Sequence, residues 1–119
     1  MDGHRYRLSR GAVADFESIL RESERSFGTA QRRRYESLIA QAAVLIAQDP
    51  QRGGSKARDD IRPGLRSFRV ERASGRRGAA SHVLFYLVGT FDDGVPGVTI
   101  VRILHDRMDP ERHIAGSLD

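Results

Sequence analysis

The sequence predicts an α+β domain in the order β-α-α-β-β-β, a helix hairpin packed on a mainly antiparallel four-stranded sheet. Two observations carry that expectation. Before residue 50, apolar residues recur at three- and four-residue steps in two consecutive runs, the mark of helices with one apolar side. After residue 50 that period gives way to short alternating or continuously apolar segments, and nine of the twelve glycines lie there, where strands need turns between them. Helices grouped first and strands grouped after them fit an α+β layer arrangement, not a repeating βαβ one.

Taken in order, Arg5 to Leu8 reads as a first strand with Tyr6 and Leu8 on one side. Ser9 is placed to cap the helix that follows, its hydroxyl accepting an early helical N–H. Ala12, Val13, Phe16, Ile19, Leu20 and Phe27 form the inner side of that helix, and Asp15, Glu17, Arg21 and Glu22 its wet side. Gly28 ends it. Thr29 is expected to cap a second helix with the stripe Tyr35, Leu38, Ile39, Ala42, Leu45 and Ile46, which stops at Asp49-Pro50 because the residue before proline disfavours helix. A two-residue joint between such helices implies an antiparallel hairpin.

Residues 51–64 read as a polar connector ending in the turn pair Pro63-Gly64. Phe68 and Val70 alternate with Ser67, Arg69 and Glu71 as a half-buried strand, and Ala73 to Ala80 is a Gly/Arg loop. His82 to Val88 is apolar on both sides, which suits a central strand. FDDGVPG turns the chain into a similar strand, Val98 to Leu104. In the polar tail there is room for one short turn, with Asp109 available to cap it and Met108 and Ile114 to pack back on the sheet.

A length of 119 residues fits one domain over 1–119, with its core in about 4–114. With 39% hydrophobic and 30% charged residues the chain is expected to fold. It has no Cys, which excludes disulfides, thiol catalysis and Cys-based zinc sites. The opening MDGHRYRLSR has no apolar stretch of a secretory signal, and the run VLFYLV is far short of a membrane span, so a cytoplasmic protein is expected. Gly53-Gly54 and Gly75 to Gly78 match neither a P-loop nor a dinucleotide fingerprint, no serine sits in GxSxG, and no histidine pair has metal-site spacing. No cofactor and no metal are expected.

The formal net charge is +4, but it is unevenly spread. Residues 51–90 carry eight Arg and Lys56 against three acids, a net +6, whereas 1–50 stand at +1 and 91–119 at −3. Nineteen of the twenty basic residues are Arg, which makes planar two-pronged contacts with carboxylate and phosphate. This segment should attract an anionic partner, either nucleic acid or an acidic protein segment. His82 and His105, each at a strand end, could with Arg66, Arg69 or Arg102 serve a ribonuclease, but a structural role near the sheet edge is favoured for both.

With the opening YRLSRGAVADF, the turn IRPGLRSF, the strand SHVLFYLV and the close VRILHDRMDPERHI, the chain resembles the ParE branch of the RelE/ParE toxin superfamily over about residues 4–114. The most specific part is the ending, Arg102, Leu104, His105, Arg107, Met108, Asp109, Arg112 and His113. The resemblance implies the toxin of a type II toxin–antitoxin pair, a poison of DNA gyrase and not an enzyme. It also implies a ParD-like antitoxin, a ribbon-helix-helix dimer whose acidic C-terminal segment wraps the toxin and which alone contacts DNA. On that footing Arg66, Phe68, Arg69, Tyr86 and Arg102 are expected to bind antitoxin, and Arg107 and Arg112 to contact gyrase. The alternatives are a RelE-like ribosome-dependent mRNA endonuclease using Arg66, Arg69, Tyr86 and His105, or a plain nucleic-acid-binding module.

Overall fold

At Ser9 the first strand turns into the first helix, and one hydroxyl fixes the junction. Ser9 is extended, its Oγ accepts the Ala12 N–H at 3.1 Å, and the same Oγ donates to the Val101 carbonyl at 2.8 Å. The expected N-cap therefore also ties the helix start to the last strand. In this computed structural model, which describes residues 5–114, the strand is β1 (Arg5–Leu8) and the helix α1 (Arg10–Phe27). His4 lies outside the described residues.

The turn between the helices is tighter than expected. Gly28 alone separates α1 from α2 (Thr29–Gln48), at φ 92° and ψ 173°, where a side chain is strained. Gly28 is the N-cap of α2 and Thr29 is already helical, which corrects the cap assigned to Thr29; its hydroxyl donates instead to Glu24 Oε2 at 3.4 Å. Asp49 ends α2 before Pro50, as the sequence required.

Five strands, not four, form the sheet, in the order β1-β5-β4-β3-β2. The added strand is β2 (Lys56–Ala57), paired antiparallel with β3 (Arg66–Arg69) inside the segment read as connector. Two exposed residues offer no alternation to detect. The chain leaves β3 two residues early, because Val70–Ala73 form a 3-10 turn that drops Val70 into the core, so Val70 and Glu71 are not strand. From there β4 (His82–Thr90) and β5 (Pro96–His105) complete an antiparallel meander with β3, and β1 closes the other edge parallel to β5. A bulge at Phe85/Tyr86 sets Phe85 opposite Arg102 and Tyr86 opposite Ile100.

One sheet face takes the hairpin. There Ala12, Ile39, Ala42 and Ile46 pack on Phe68, Leu84, Tyr86, Ile100 and Ile103. The opposite face carries Leu65, Val83, Phe85, Val101 and Leu104, closed by Ile61 and by Ile114 of a last helix, α3 (Pro110–Ile114). Ile114 thus packs back as expected, and Asp109 Oδ1 accepts the Glu111 N–H at 3.2 Å at the start of α3. Met108 does not pack back; it stays 46% exposed. Among the described residues, no helix is long and apolar enough to cross a membrane.

Candidate functional site

On the hairpin side a groove of about 650 Å³ opens between the second half of α1 and the segments around His82 and His105. Ile19 and Phe27 of α1, Tyr35 of α2 and Met108 make the apolar part of its walls, beside Glu22 and three serines of α1. Phe27 is 74% exposed. The α1 period puts Phe27 on the buried side, but it is the final helical residue, next to Gly28, and its ring lines the open groove. A large aromatic and a thioether left exposed in one groove mark a surface that another apolar surface can cover.

The floor is polar without being charged. Tyr35 and His82 share a hydrogen bond at 2.6 Å between hydroxyl and Nδ1. Their rings meet edge to face at 5.5 Å, and His82 meets His105 in the same manner at 5.4 Å, as the cross-strand register of β4 and β5 dictates. Burial, with the His105 ring beside it, pushes the His82 pKa down to about 4, so its imidazole is neutral at physiological pH. Burial also raises the Tyr35 hydroxyl above the usual tyrosine range. A neutral floor and apolar walls favour an apolar ligand face. The groove continues past Gln31, Tyr35 and Ala79 into a shallower trough edged by Arg33, Arg34 and Arg76.

The residues singled out from the sequence do not form one surface. Phe68 and Tyr86 lie under the hairpin, 2% and 0% exposed, because Phe68 and Tyr86 share the helix-covered face of the sheet. Arg66 joins them on that side: its Nε donates to Ser55 Oγ at 2.8 Å, and Ser55 Oγ is 2.6 Å from the Tyr86 hydroxyl. Arg69 points to the opposite face, where it pairs with Asp106 at 2.8 Å and reaches Glu71 at 3.4 Å. Arg102 is engaged inside the protein with Asp15. His105 stands at the end of β5, its Nδ1 accepting the Arg107 N–H at 3.1 Å. Arg66 and Tyr86 are therefore separated by the sheet from Arg69, and the four residues of the ribonuclease alternative do not converge. Arg107 and Arg112 are exposed at the tail. No cluster of three or more His, Asp or Glu able to hold a metal occurs among the described residues. Of the groove, sequence reasoning noted His82, His105 and Met108 but missed Phe27 as a surface residue; the available signal was its position beside the helix-ending Gly28.

A family profile described as the ParE toxin of the type II toxin–antitoxin system, parDE, matches residues 6–110. The chain belongs to the ParE toxin family. It is 33% identical over 109 residues to Toxin ParE1 of Caulobacter vibrioides, covering 92% of this chain and 96% of that protein. It is 34% identical over 110 residues to Toxin ParE1 of Mycobacterium tuberculosis, covering 92% and 97%. Toxin ParE of Escherichia coli is 33% identical over 113 residues, covering 95% of each. Among solved structures, the chromosomal ParDE TA system from P. aeruginosa superposes with a TM-score of 0.62 at 17% identity, over 84% of this chain and 92% of that one. That likeness carries the fold, and the ParE family assignment agrees with the element order seen here.

Proposed function

We propose that this ParE-family toxin inhibits DNA gyrase in the cytoplasm and is neutralised by a ParD-like ribbon-helix-helix antitoxin. The C-terminal segment of the antitoxin would seat in the groove between α1 and Met108. The observation that carries this reading is the groove itself, with exposed Phe27 and Met108 over an uncharged Tyr35–His82 floor. An amphipathic segment could lay its apolar side there, and its acidic side would meet Arg33, Arg34 and Arg76 in the adjoining trough. Arg66, partly exposed on the hairpin side, would extend the contact, and Arg69 on the opposite face would be reached only by a segment that wraps around the sheet edge. Arg107 and Arg112, exposed and clear of the groove walls, are left for gyrase.

Two assays test the reading. The purified toxin should inhibit gyrase supercoiling and leave ribosome-bound mRNA intact; cut mRNA with unaffected supercoiling would reverse the assignment of target. Phe27→Asp should weaken antitoxin binding at least about tenfold, because a carboxylate cannot be buried unpaired against an apolar helix, while the melting temperature stays unchanged. Unaltered affinity in that variant would place the antitoxin elsewhere.

A further inference from the structure

On the sheet face turned away from the hairpin, a pocket of about 270 Å³ gathers cations from four stretches of chain. Lys56 comes from β2, Arg58 from the following loop, Arg69 from β3 and Arg72 from the 3-10 turn. Val83, Phe85 and Ser67 also line it, together with one carboxylate, Asp106, which is taken up by Arg69. It is separated from the groove by His105 and Met108, which line both.

Not all four cations are free. Arg69 is held by Asp106 and Glu71. Arg58 forks onto Asp60, both contacts at 3.1 Å, while its guanidinium lies 5.8 Å from the Phe85 ring centre. Lys56 and Arg72 have no carboxylate partner among the described residues. Gly54 makes room for Arg72: at φ +93°, a Cβ there would collide with the Arg72 Cδ, Nε and Cζ atoms. Ser67 adds an independent observation. The residue is 6% exposed and lines the pocket, and its hydroxyl has no hydrogen-bond partner among the described residues, yet no polar side-chain atom there is sealed off unsatisfied. The hydroxyl is therefore left open to whatever occupies the pocket.

We propose that this pocket is a phosphate-binding site, taking the phosphomonoester of a nucleotide, free or at the end of a nucleic-acid strand. A carboxylate brings one charge and would neutralise Lys56 or Arg72 but not both. A phosphomonoester brings a charge of about −1.5 to −2 and three acceptor oxygens, enough for the ammonium, the guanidinium fork and the Ser67 hydroxyl together. The pocket is too small for a helix or a duplex and sized for one such group. This site goes beyond the antitoxin reading and does not depend on it.

Calorimetric titration of the full chain decides the matter, with adenosine monophosphate, adenosine, inorganic phosphate, and a hexanucleotide with or without a 5′-phosphate. Phosphorylated ligands should bind saturably and their unphosphorylated twins should not. The tightest of the phosphorylated ligands names the source. Lys56→Ala and Arg72→Ala should each weaken binding about tenfold without changing the melting temperature, since both side chains are exposed. Gly54→Ala should act like Arg72→Ala by displacing the guanidinium; if that variant is unfolded, the other two still decide. Absence of binding at about 10 mM phosphate or nucleotide would overturn the proposal. So would affinity unchanged in Lys56→Ala and Arg72→Ala, or a glutamate-rich peptide that displaces the nucleotide with equal affinity.

Discussion

Arg102 on β5 grips Asp15 on α1 through both carboxylate oxygens, Nε to Oδ2 at 2.7 Å and Nη2 to Oδ1 at 2.9 Å. The two side chains are only 22% and 15% exposed. Each has a further bond: Arg102 Nη1 donates to the His113 carbonyl at 2.8 Å, and Asp15 Oδ2 accepts the Ile103 N–H at 2.9 Å. One ion pair thus joins the first helix, the last strand and the terminal helix. Fork geometry and partial burial place it well above an ordinary surface pair.

Arg102→Ala should therefore destabilise the fold by about 2–3 kcal/mol, read as a lower urea midpoint with an unchanged slope. Arg102→Lys should recover little, because an ammonium cannot hold both oxygens and the His113 carbonyl at once. The cycle with Asp15→Ala should give a coupling of about 1–3 kcal/mol; simple additivity of the two losses would show that the pair is not a unit.

Tyr86 is sealed under the hairpin, and its hydroxyl donates to the Pro50 carbonyl at 2.5 Å, tying the end of α2 to the centre of the sheet. Tyr86→Phe should cost about 1–2 kcal/mol in stability, with Ser55 Oγ, 3.0 Å from the same carbonyl, limiting the loss. Antitoxin affinity and toxicity should be unaffected at a temperature where the variant is folded. Loss of toxicity without loss of stability would return Tyr86 to the functional residues.

Those two residues show what the sequence does and does not disclose. The helices, the meander and the Ser9 cap were legible because each rests on local chemistry: a period, a hydroxyl at the right place, a proline after Asp49. Which residues of β3 and β4 share a sheet face is legible as well, since alternation fixes it, but in β5 the bulge breaks the alternation and sets Ile100 and Ile103 on the same face. Which face the hairpin covers is not legible, and Phe68 and Tyr86, expected to bind antitoxin, lie in the core beneath it. The engagement of Arg102 is hidden for a related reason, as its partner Asp15 lies 87 residues away. β2 escaped because two exposed residues carry no pattern, and Phe27 because helical phase says nothing of where the layer beneath ends.

Gly28 offers a test of backbone against packing. Its φ of 92° with ψ of 173° belongs to a region that residues with a Cβ rarely enter, yet nothing lies within 4 Å of where a Cβ would stand. Gly28→Ala should cost about 1–3 kcal/mol, entirely through the backbone. Asn, which tolerates left-handed helical geometry, should rescue little, because ψ here is far from that well. Urea unfolding of the two variants measures this; an alanine variant as stable as the parent would mean that the joint relaxes into an ordinary turn.

The buried histidine makes stability depend on pH. In the unfolded chain His82 titrates near 6.5, and in the folded protein burial and the His105 ring hold it at about 4. Between those values the unfolded state binds more protons than the folded one, so acid favours unfolding: stability is complete above about pH 6.5 and is lost as the pH falls toward 4. Allowing for the ring's partial contact with water, the loss is about 1–2 kcal/mol. Carboxylates held down by arginine, such as Asp106 beside Arg69, contribute their own loss at lower pH, below the usual aspartate range. The His82 share is isolated by His82→Gln, whose amide can still meet the Tyr35 hydroxyl but does not titrate. Its urea midpoint should be flatter between pH 6.5 and 4.5 than that of the parent, and parallel curves would assign the acid sensitivity to the carboxylates alone.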